Sequence, residues 1–89
     1  MIIRSQDKKE LHNFDRISNV CVLPCYRDEH KFIIELNKQK TIGTYSTEEK
    51  AIKVLDMICN FYAEHLEELK CDEPPFVRAF FTMPQDSEV

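Results

Sequence analysis

The longest helical pattern in the chain runs from Tyr45 to Leu69, and it constrains the fold more than any other stretch. Ser46 followed by Glu49 has the spacing of a capping box, which predicts that the helix begins there. Apolar residues then recur at three- and four-residue intervals, namely Ala51, Val54, Leu55, Ile58, Tyr62, Leu66 and Leu69. This spacing predicts an amphipathic helix with one face packed on a sheet.

The apolar surface of this helix is wider than a small sheet needs, because Met57 and Phe61 lie beside the main row. A chain of 89 residues buries only about 60 to 65 per cent of its unfolded surface, so self-association is a reasonable source of further stability. We therefore expect a homo-oligomer, either a dimer or a higher assembly of dimers. The expected interface residues are Met57, Phe61, Leu66, Leu69, Phe76 and Phe81.

Short extended segments precede the helix. The segments Met1–Arg4 and Leu11–Phe14 are predicted to form a hairpin, and a further strand is expected within Arg16–Tyr26. His30–Leu36 alternates apolar and polar residues and is predicted to pair with Thr41–Tyr45 in a second hairpin that leads into the helix. The sequence therefore predicts an α+β fold with a small antiparallel sheet, one long amphipathic helix and a C-terminal strand.

The C-terminal strand is predicted over Phe76–Met83, after the helix-breaking pair Pro74 and Pro75. Both of its sides are apolar apart from Arg78, so we expect a partner subunit or a ligand to cover the second side. Residues 84–89 are expected to be a flexible tail, and residues 1–89 to form a single domain.

Gly43 is the only glycine in the chain and falls within a predicted strand. A glycine at such a position indicates a bulge or a close approach to the backbone. Packing of the helix against the strand and space for a ligand both remain open as explanations.

The charge distribution excludes several classes of partner. The net charge is −4, and residues 64–89 carry two basic residues against seven acidic ones. A protein that binds duplex nucleic acid normally carries a basic stripe, so no duplex is expected as a partner. The sequence also lacks an apolar run of about 20 residues and a secretory signal, so we expect no membrane partner and a cytosolic location.

The reactive residues do not form a catalytic pattern. Cys21, Cys25, Cys59 and Cys71 lack paired zinc-ligand spacing and are expected to be free thiols in a reducing compartment. His12, His30 and His65 are scattered, and a single glycine excludes a glycine-rich phosphate loop. We therefore expect no metal, no cofactor and no enzymatic activity.

Arg78 stands among three phenylalanines of the last strand. Its planar guanidinium matches a phosphate group, and neighbouring rings such as Phe80 can stack on a base, so the pattern favours nucleotide binding. The alternative is an ion pair across an interface with Glu64 or Glu67.

Three segments, the opening MIIRSQDK, the central IGTYSTEEKAIKVLDMI and the closing FTMPQD, resemble a family of small phage and prophage proteins of Firmicutes-type hosts. Within that group the pattern is similar to the anti-Thoeris nucleotide sponges. Those viral proteins bind a host immune signal, a cyclic ADP-ribose variant or in some members a cyclic oligonucleotide, and sequester it without cleavage. The resemblance covers under half of the chain and implies a counter-defence protein of the host cytoplasm.

The resemblance also implies rings assembled from dimers, with ligand pockets at subunit interfaces. Where its segments match this chain, Arg78 and Arg4 would contact phosphate, and residues at the middle of the helix would contact the base. The chain departs from the family in the short connection Cys71–Pro75, where longer members have more helix. The expected ligand-binding residues are Arg78, Arg4, Phe61, Asn60, Tyr62, Phe80 and Met83.

Two other functions fit the same sequence. The acidic region 64–89 can imitate nucleic-acid phosphates and inhibit a basic host enzyme. A phage regulatory or assembly protein with no small ligand is the third interpretation.

Overall fold

The computed structural model describes residues 1–28, 30–64 and 80–89. The predicted α+β fold is confirmed, and the C-terminal strand is present. Short 3₁₀ helices cover Phe14–Arg16 and Asp86–Glu88. The main elements are β1 (Ile2–Arg4), β2 (Leu11–Asn13), β3 (Val20–Pro24), β4 (Phe32–Leu36), β5 (Lys40–Tyr45), α1 (Glu48–Glu64) and β6 (Phe80–Thr82).

The strands form two three-stranded sheets instead of a single small antiparallel one. One sheet is antiparallel, with the order β3-β4-β5, and the other is mixed, with the order β2-β1-β6. Strand β6 runs parallel to β1, and Ile3 is the partner of Phe81 in this pairing. The parallel pairing places both side chains in the core, which explains why the last strand joins the first.

One hydrophobic core joins both sheets and the helix. Ala51, Val54 and Ile58 of α1 are buried, as the helical pattern predicted, while Leu55 and Tyr62 are half-buried. The two sheets contribute Ile3, Phe81, Ile34, Leu36, Ile42 and Tyr45, and the residues Met1 and Met83 beside β1 and β6 complete the core.

The helix begins one residue later than the predicted capping box. The Thr47 side-chain Oγ1 accepts a hydrogen bond from the Lys50 amide at 3.1 Å, and the Thr47 carbonyl accepts one from the Ala51 amide at 3.2 Å. Thr47 is therefore the N-cap residue, in place of Ser46. The Ser46 amide instead donates to the carboxylate of Asp86 at 2.8 Å, so the C-terminal segment holds it outside the helix.

Gly43 lies next to a bulge and also at a close approach. The pairing of β4 with β5 shifts register between Ile34 and Glu35, which leaves Ile42 as the extra residue. A Cβ atom at Gly43 would lie 3.0 Å from Tyr45 Cε2 and 3.1 Å from Met83 Cε. The side chains of Tyr45 and Met83 therefore occupy the space beside Gly43, which leaves room there for neither the helix nor a ligand.

Residues 84–89 are docked on the domain, whereas the sequence suggested a flexible tail. The Tyr45 hydroxyl donates to the Pro84 carbonyl at 2.8 Å, and Lys50 Nζ donates to the Asp86 carbonyl at 3.1 Å. The Ser46 amide is the main cause that lowers the pKa of Asp86. Burial raises the pKa of Tyr45, and the charges of Asp86 and Glu88 add to this effect.

Gln6 connects the two sheets. Its amide nitrogen Nε2 donates to the Thr44 carbonyl at 3.0 Å, and its Oε1 accepts from the Thr44 amide at 2.8 Å. The Gln6 backbone amide donates to the Ile42 carbonyl at 2.8 Å. The backbone and side chain of Gln6 therefore bond to the free edge of β5 as a neighbouring strand would.

Candidate functional site

The mixed sheet presents one face to the core and the other face away from it. Side chains alternate along a strand, and Ile3 and Phe81 are buried, so the residues before and after them point outward. The strand register places these residues in two rows across the sheet. We call this surface the outer face, which consists of Asn13, Ile2 and Phe80 in the first row and Leu11, Arg4 and Thr82 in the second.

Two large apolar side chains of the outer face are exposed. Phe80 is 60% exposed and pairs with Ile2, while Leu11 is 64% exposed and pairs with Arg4. An exposed aromatic ring can stack on a nucleobase, and stacking on a single ring contributes about 1 to 3 kcal/mol. Phe80 and its aliphatic neighbours therefore offer a flat platform for an aromatic ligand.

Arg4 is held in position beside this platform. Its Nε and Nη2 atoms donate to the Lys8 carbonyl at 3.2 and 3.1 Å, which turns the guanidinium toward the β1–β2 turn, residues 5–10. Lys8 adopts a positive φ of 65°, the conformation that brings its carbonyl within reach. The guanidinium remains exposed and keeps further N–H donors for a phosphate group.

The β1–β2 turn adds positive charge to the same corner. Lys8 and Lys9 are exposed there, whereas the chain as a whole carries a net charge of −4. Asp7 is engaged within the turn, because its carboxylate accepts from the Ser5 hydroxyl at 2.5 Å and the Lys9 amide at 2.9 Å. These hydrogen bonds lower the pKa of Asp7. The corner also holds Glu10, whose carboxylate forms an ion pair with Lys40 at 2.8 Å. Because both acidic residues of the turn are already engaged, the exposed cations Arg4, Lys8 and Lys9 make this corner suited to an anionic group.

Of the predicted ligand-binding residues that the structure describes, Arg4 and Phe80 are brought together on the outer face. Phe61 packs edge-to-face on Phe81 with ring centroids 5.4 Å apart, on the core side of the mixed sheet. Met83 is 1% exposed and offers almost no surface to a ligand. Asn60 is exposed on α1, and Tyr62 contacts Phe14 with centroids 5.5 Å apart.

Tyr62 also lines a concave surface on α1, which we call the helix-side groove. Its volume is about 320 Å³, and its lining contains no charged residue. Such a groove can hold an apolar group but offers no partner to a phosphate. The lining residues are Phe14, Val20, Leu55, Ile58, Cys59 and Tyr62.

The remaining sequence predictions stay predictions. Arg78, Leu66, Leu69 and Phe76 lie outside the described residues. Met57 is 40% exposed on α1, which leaves it accessible to a second subunit.

Phe81, also predicted at an interface, is 8% exposed and belongs to the core of the protomer.

The described residues show no metal-binding cluster. Among residues 1–28, 30–64 and 80–89, no group of three His, Cys, Asp or Glu residues is placed to hold an ion. Cys21, Cys25 and Cys59 are free thiols.

His12 lies with its Nε2 atom buried 3.5 Å from Glu10 Oε1, without hydrogen-bond geometry. The carboxylate of Glu10 forms an ion pair with Lys40 at 2.8 Å, so this cluster links the two sheets at the surface.

Sequence reasoning missed Leu11, Lys8 and Lys9 as members of the site. The hairpin of Met1–Arg4 with Leu11–Phe14 was predicted, but its register was not, and the register decides which residue of β2 lies opposite Arg4. The RSQDKK run was visible as a local excess of positive charge in an acidic chain. That excess was the available signal.

Comparison with protein-family models, curated protein sequences and solved structures found no match. In the part of the chain that the structure describes, no helix is long and apolar enough to cross a membrane.

Proposed function

We propose that this protein binds a host cyclic nucleotide signal and sequesters it without cleavage, as a phage counter-defence protein of the host cytoplasm. The ligand is a cyclic ADP-ribose variant or a cyclic oligonucleotide. The observation that carries this proposal is the outer face, where an exposed phenylalanine and an oriented arginine occupy adjacent rows of one sheet.

The spacing on the outer face suits a ligand with a ring and a phosphate. Arg4 and Phe80 are diagonal neighbours on adjacent strands, so their Cα atoms are about 8 Å apart. A base stacked on Phe80 and Ile2 therefore extends its phosphate toward Arg4. Lys8 and Lys9 supply additional positive charge at that end.

The same residues support binding without catalysis. Arginine and lysine stabilise phosphate charge, but cleavage also needs a positioned nucleophile or general base. The described polar side chains of the outer face itself are Arg4, Asn13 and Thr82. In the adjoining turn, Asp7 is bonded within the turn and Glu10 forms an ion pair with Lys40, so neither carboxylate is placed as a base beside the face. Retention of an intact ligand is the function that these groups serve.

An open sheet covers one side of a ligand, whereas sequestration requires burial of most of its surface. A second subunit placed over the outer face supplies the missing cover. The proposed sponge is therefore a homo-oligomer, with its ligand between subunits.

The test is retention and recovery of cyclic ADP-ribose and of a cyclic dinucleotide, used as separate probes. The protein is incubated with each probe, separated from unbound ligand and denatured by heat, and the released compound is identified by mass spectrometry. We expect intact ligand at stoichiometric yield. Recovery of a hydrolysed product would make the protein an enzyme, and retention of neither probe would overturn the proposal.

Variants locate the binding on the outer face. Phe80→Ala and Arg4→Gln are each expected to weaken binding about tenfold or more, because each removes a ring or a charged hydrogen-bond donor. Ile52→Ala and Lys53→Gln are the matched controls, since they remove an exposed apolar residue and an exposed cation from α1. Equal loss in the control variants would contradict the assignment.

A further inference from the structure

Among the described residues, the edge of the antiparallel sheet formed by β3 has little protection against pairing apart from Pro24 at its end. Its residues Val20 to Pro24 read VCVLP and carry no charge. Edge strands of monomeric proteins normally carry charged residues, are very short or are covered, because their free backbone groups can pair with another strand. Within the described residues, β3 pairs with β4 alone.

The hydrogen bonds at both ends of β3 fix the direction of its backbone groups. The Asn37 amide donates to the Asn19 carbonyl at 2.8 Å, and the Cys25 amide donates to the Lys31 carbonyl at 2.9 Å. In an antiparallel pair, residues alternate between bonding the partner and pointing away from it. Cys21 and Leu23 therefore bond β4, while the N–H and C=O groups of Val20 and Val22 point to the free edge.

Pro24 agrees with this assignment. Pro24 is one of the alternate residues whose backbone groups point away from β4, so its missing N–H removes no hydrogen bond to β4. It also ends the set of outward donors, because only Val20 and Val22 precede it within β3.

The opposite edge of the same sheet, formed by β5, is occupied by another part of the chain. The side chain and backbone of Gln6 occupy the free groups of Ile42 and Thr44 on β5. Strands β2 and β6 have three residues each, so their edges are short. Among the described residues, β3 is thus the longest edge strand whose outward backbone groups are not occupied by another part of the chain.

We infer that β3 pairs antiparallel with β3 of a second copy of this chain, about a two-fold axis at Cys21. In this register Val20 lies opposite Val22 of the partner subunit, and Val22 lies opposite Val20 of the partner subunit. The two pairs exchange four hydrogen bonds, so every outward group of Val20 and Val22 is satisfied and Pro24 lies beyond the pairing.

The chemistry of the strand favours a second copy over a different partner. Two uncharged strands meet without like-charge repulsion, and two outward donors on one copy match two outward acceptors on the other. The Val20 and Val22 side chains lie on the core side of the sheet, where Val20 also lines the helix-side groove. Pairing therefore extends an existing apolar surface across the axis.

The first test is Val22→Pro, which removes an outward N–H and leaves the bonds to β4 unchanged. We expect at least a tenfold weaker dimer by analytical ultracentrifugation, because two of the four hydrogen bonds are lost by symmetry. Val22→Ile is the matched control, since it keeps the amide and the branched side chain. An unchanged dimer in Val22→Pro, or a monomeric native protein at micromolar concentration, would overturn the inference.

A second test does not depend on the folding of the proline variant. Directly opposed residues of a non-hydrogen-bonded antiparallel pair have Cα atoms about 4.5 Å apart, within the range of a disulfide. A variant that keeps Cys21 alone, with serine at positions 25, 59 and 71, is expected to form a covalent dimer under mild oxidation. A variant that keeps only Cys59 is expected to remain uncrosslinked, and the reverse result would contradict the axis at Cys21.

Discussion

The two faces of the mixed sheet are built from the same three strands but have opposite properties. Phe80 and Phe81 are adjacent in sequence, yet Phe80 is 60% exposed and Phe81 is 8% exposed. Phe81 lies beside Ile3 and against the ring of Phe61, whereas Phe80 lies beside Ile2 on the outer face. One phenylalanine therefore stabilises the fold, and its neighbour is available to a ligand.

The largest expected effect comes from the inner phenylalanine. Phe81→Ala removes a buried ring from the core and is expected to lower the free energy of unfolding by about 3 to 5 kcal/mol. Urea unfolding followed by circular dichroism measures the change. A loss below about 1 kcal/mol would show that the inner face is not the stabilising one.

Phe80→Ala provides the matched comparison one residue earlier. Because the side chain is mostly exposed, we expect a stability change within about 0.5 kcal/mol. The two substitutions together test whether one face serves stability and the other serves binding. Only Phe80→Ala is expected to weaken ligand binding without destabilising the fold.

Gly43→Ala tests how tightly the core is packed beside β5. The φ angle of Gly43 is not positive, so the backbone accepts alanine, and the cost is steric. The added Cβ would meet Tyr45 Cε2 at 3.0 Å, and Tyr45 is held by its hydrogen bond to Pro84. We expect a loss of about 1 to 3 kcal/mol in urea unfolding. A neutral or stabilising result would show that free space remains beside Gly43.

Tyr45→Phe tests the contact between the core and the C-terminal segment, and its expected effect is smaller. Loss of one hydrogen bond costs about 1 kcal/mol, and the Pro84 carbonyl keeps a second donor in Gln6 Nε2 at 3.2 Å. Thermal unfolding at neutral pH measures this loss.

The same variant has an expected pH dependence. Burial raises the pKa of Tyr45 in the folded state, so the unfolded state releases its proton first and stability falls as the pH rises above about 10. Tyr45→Phe removes this part of the alkaline destabilisation. An identical alkaline slope in both proteins would contradict the burial of the hydroxyl.

Much of the fold was predictable from local patterns. The buried row Ala51, Val54 and Ile58 follows from helical periodicity, and the hairpin around the β1–β2 turn follows from strand propensity and turn composition. Strand β4 was located correctly, but its alternation was not a guide to burial, because Ile33 and Glu35 are buried as well as Ile34 and Leu36. The helix begins one residue later than the sequence predicted, because the Ser46 amide is bonded to Asp86, forty positions away in the sequence. A contact between residues so far apart in the sequence cannot be predicted from local patterns.

The site was harder to predict than the fold for the same reason. The parallel pairing of β6 with β1 joins the two ends of the chain, and only this pairing places Arg4 and Phe80 on one surface. Met83 was expected at the ligand but fills the space beside Gly43, a contact that depends on how the last segment docks. Residue type indicated the candidates, while long-range register determined which of them meet.

The most direct test of the outer face is a map of amide chemical-shift changes during titration with cyclic ADP-ribose. We predict that the largest changes occur at Ile2, Arg4, Leu11 and Phe80, with smaller changes at the turn lysines. Changes concentrated at Phe14 and Tyr62, or no change at saturating ligand, would contradict binding on the outer face.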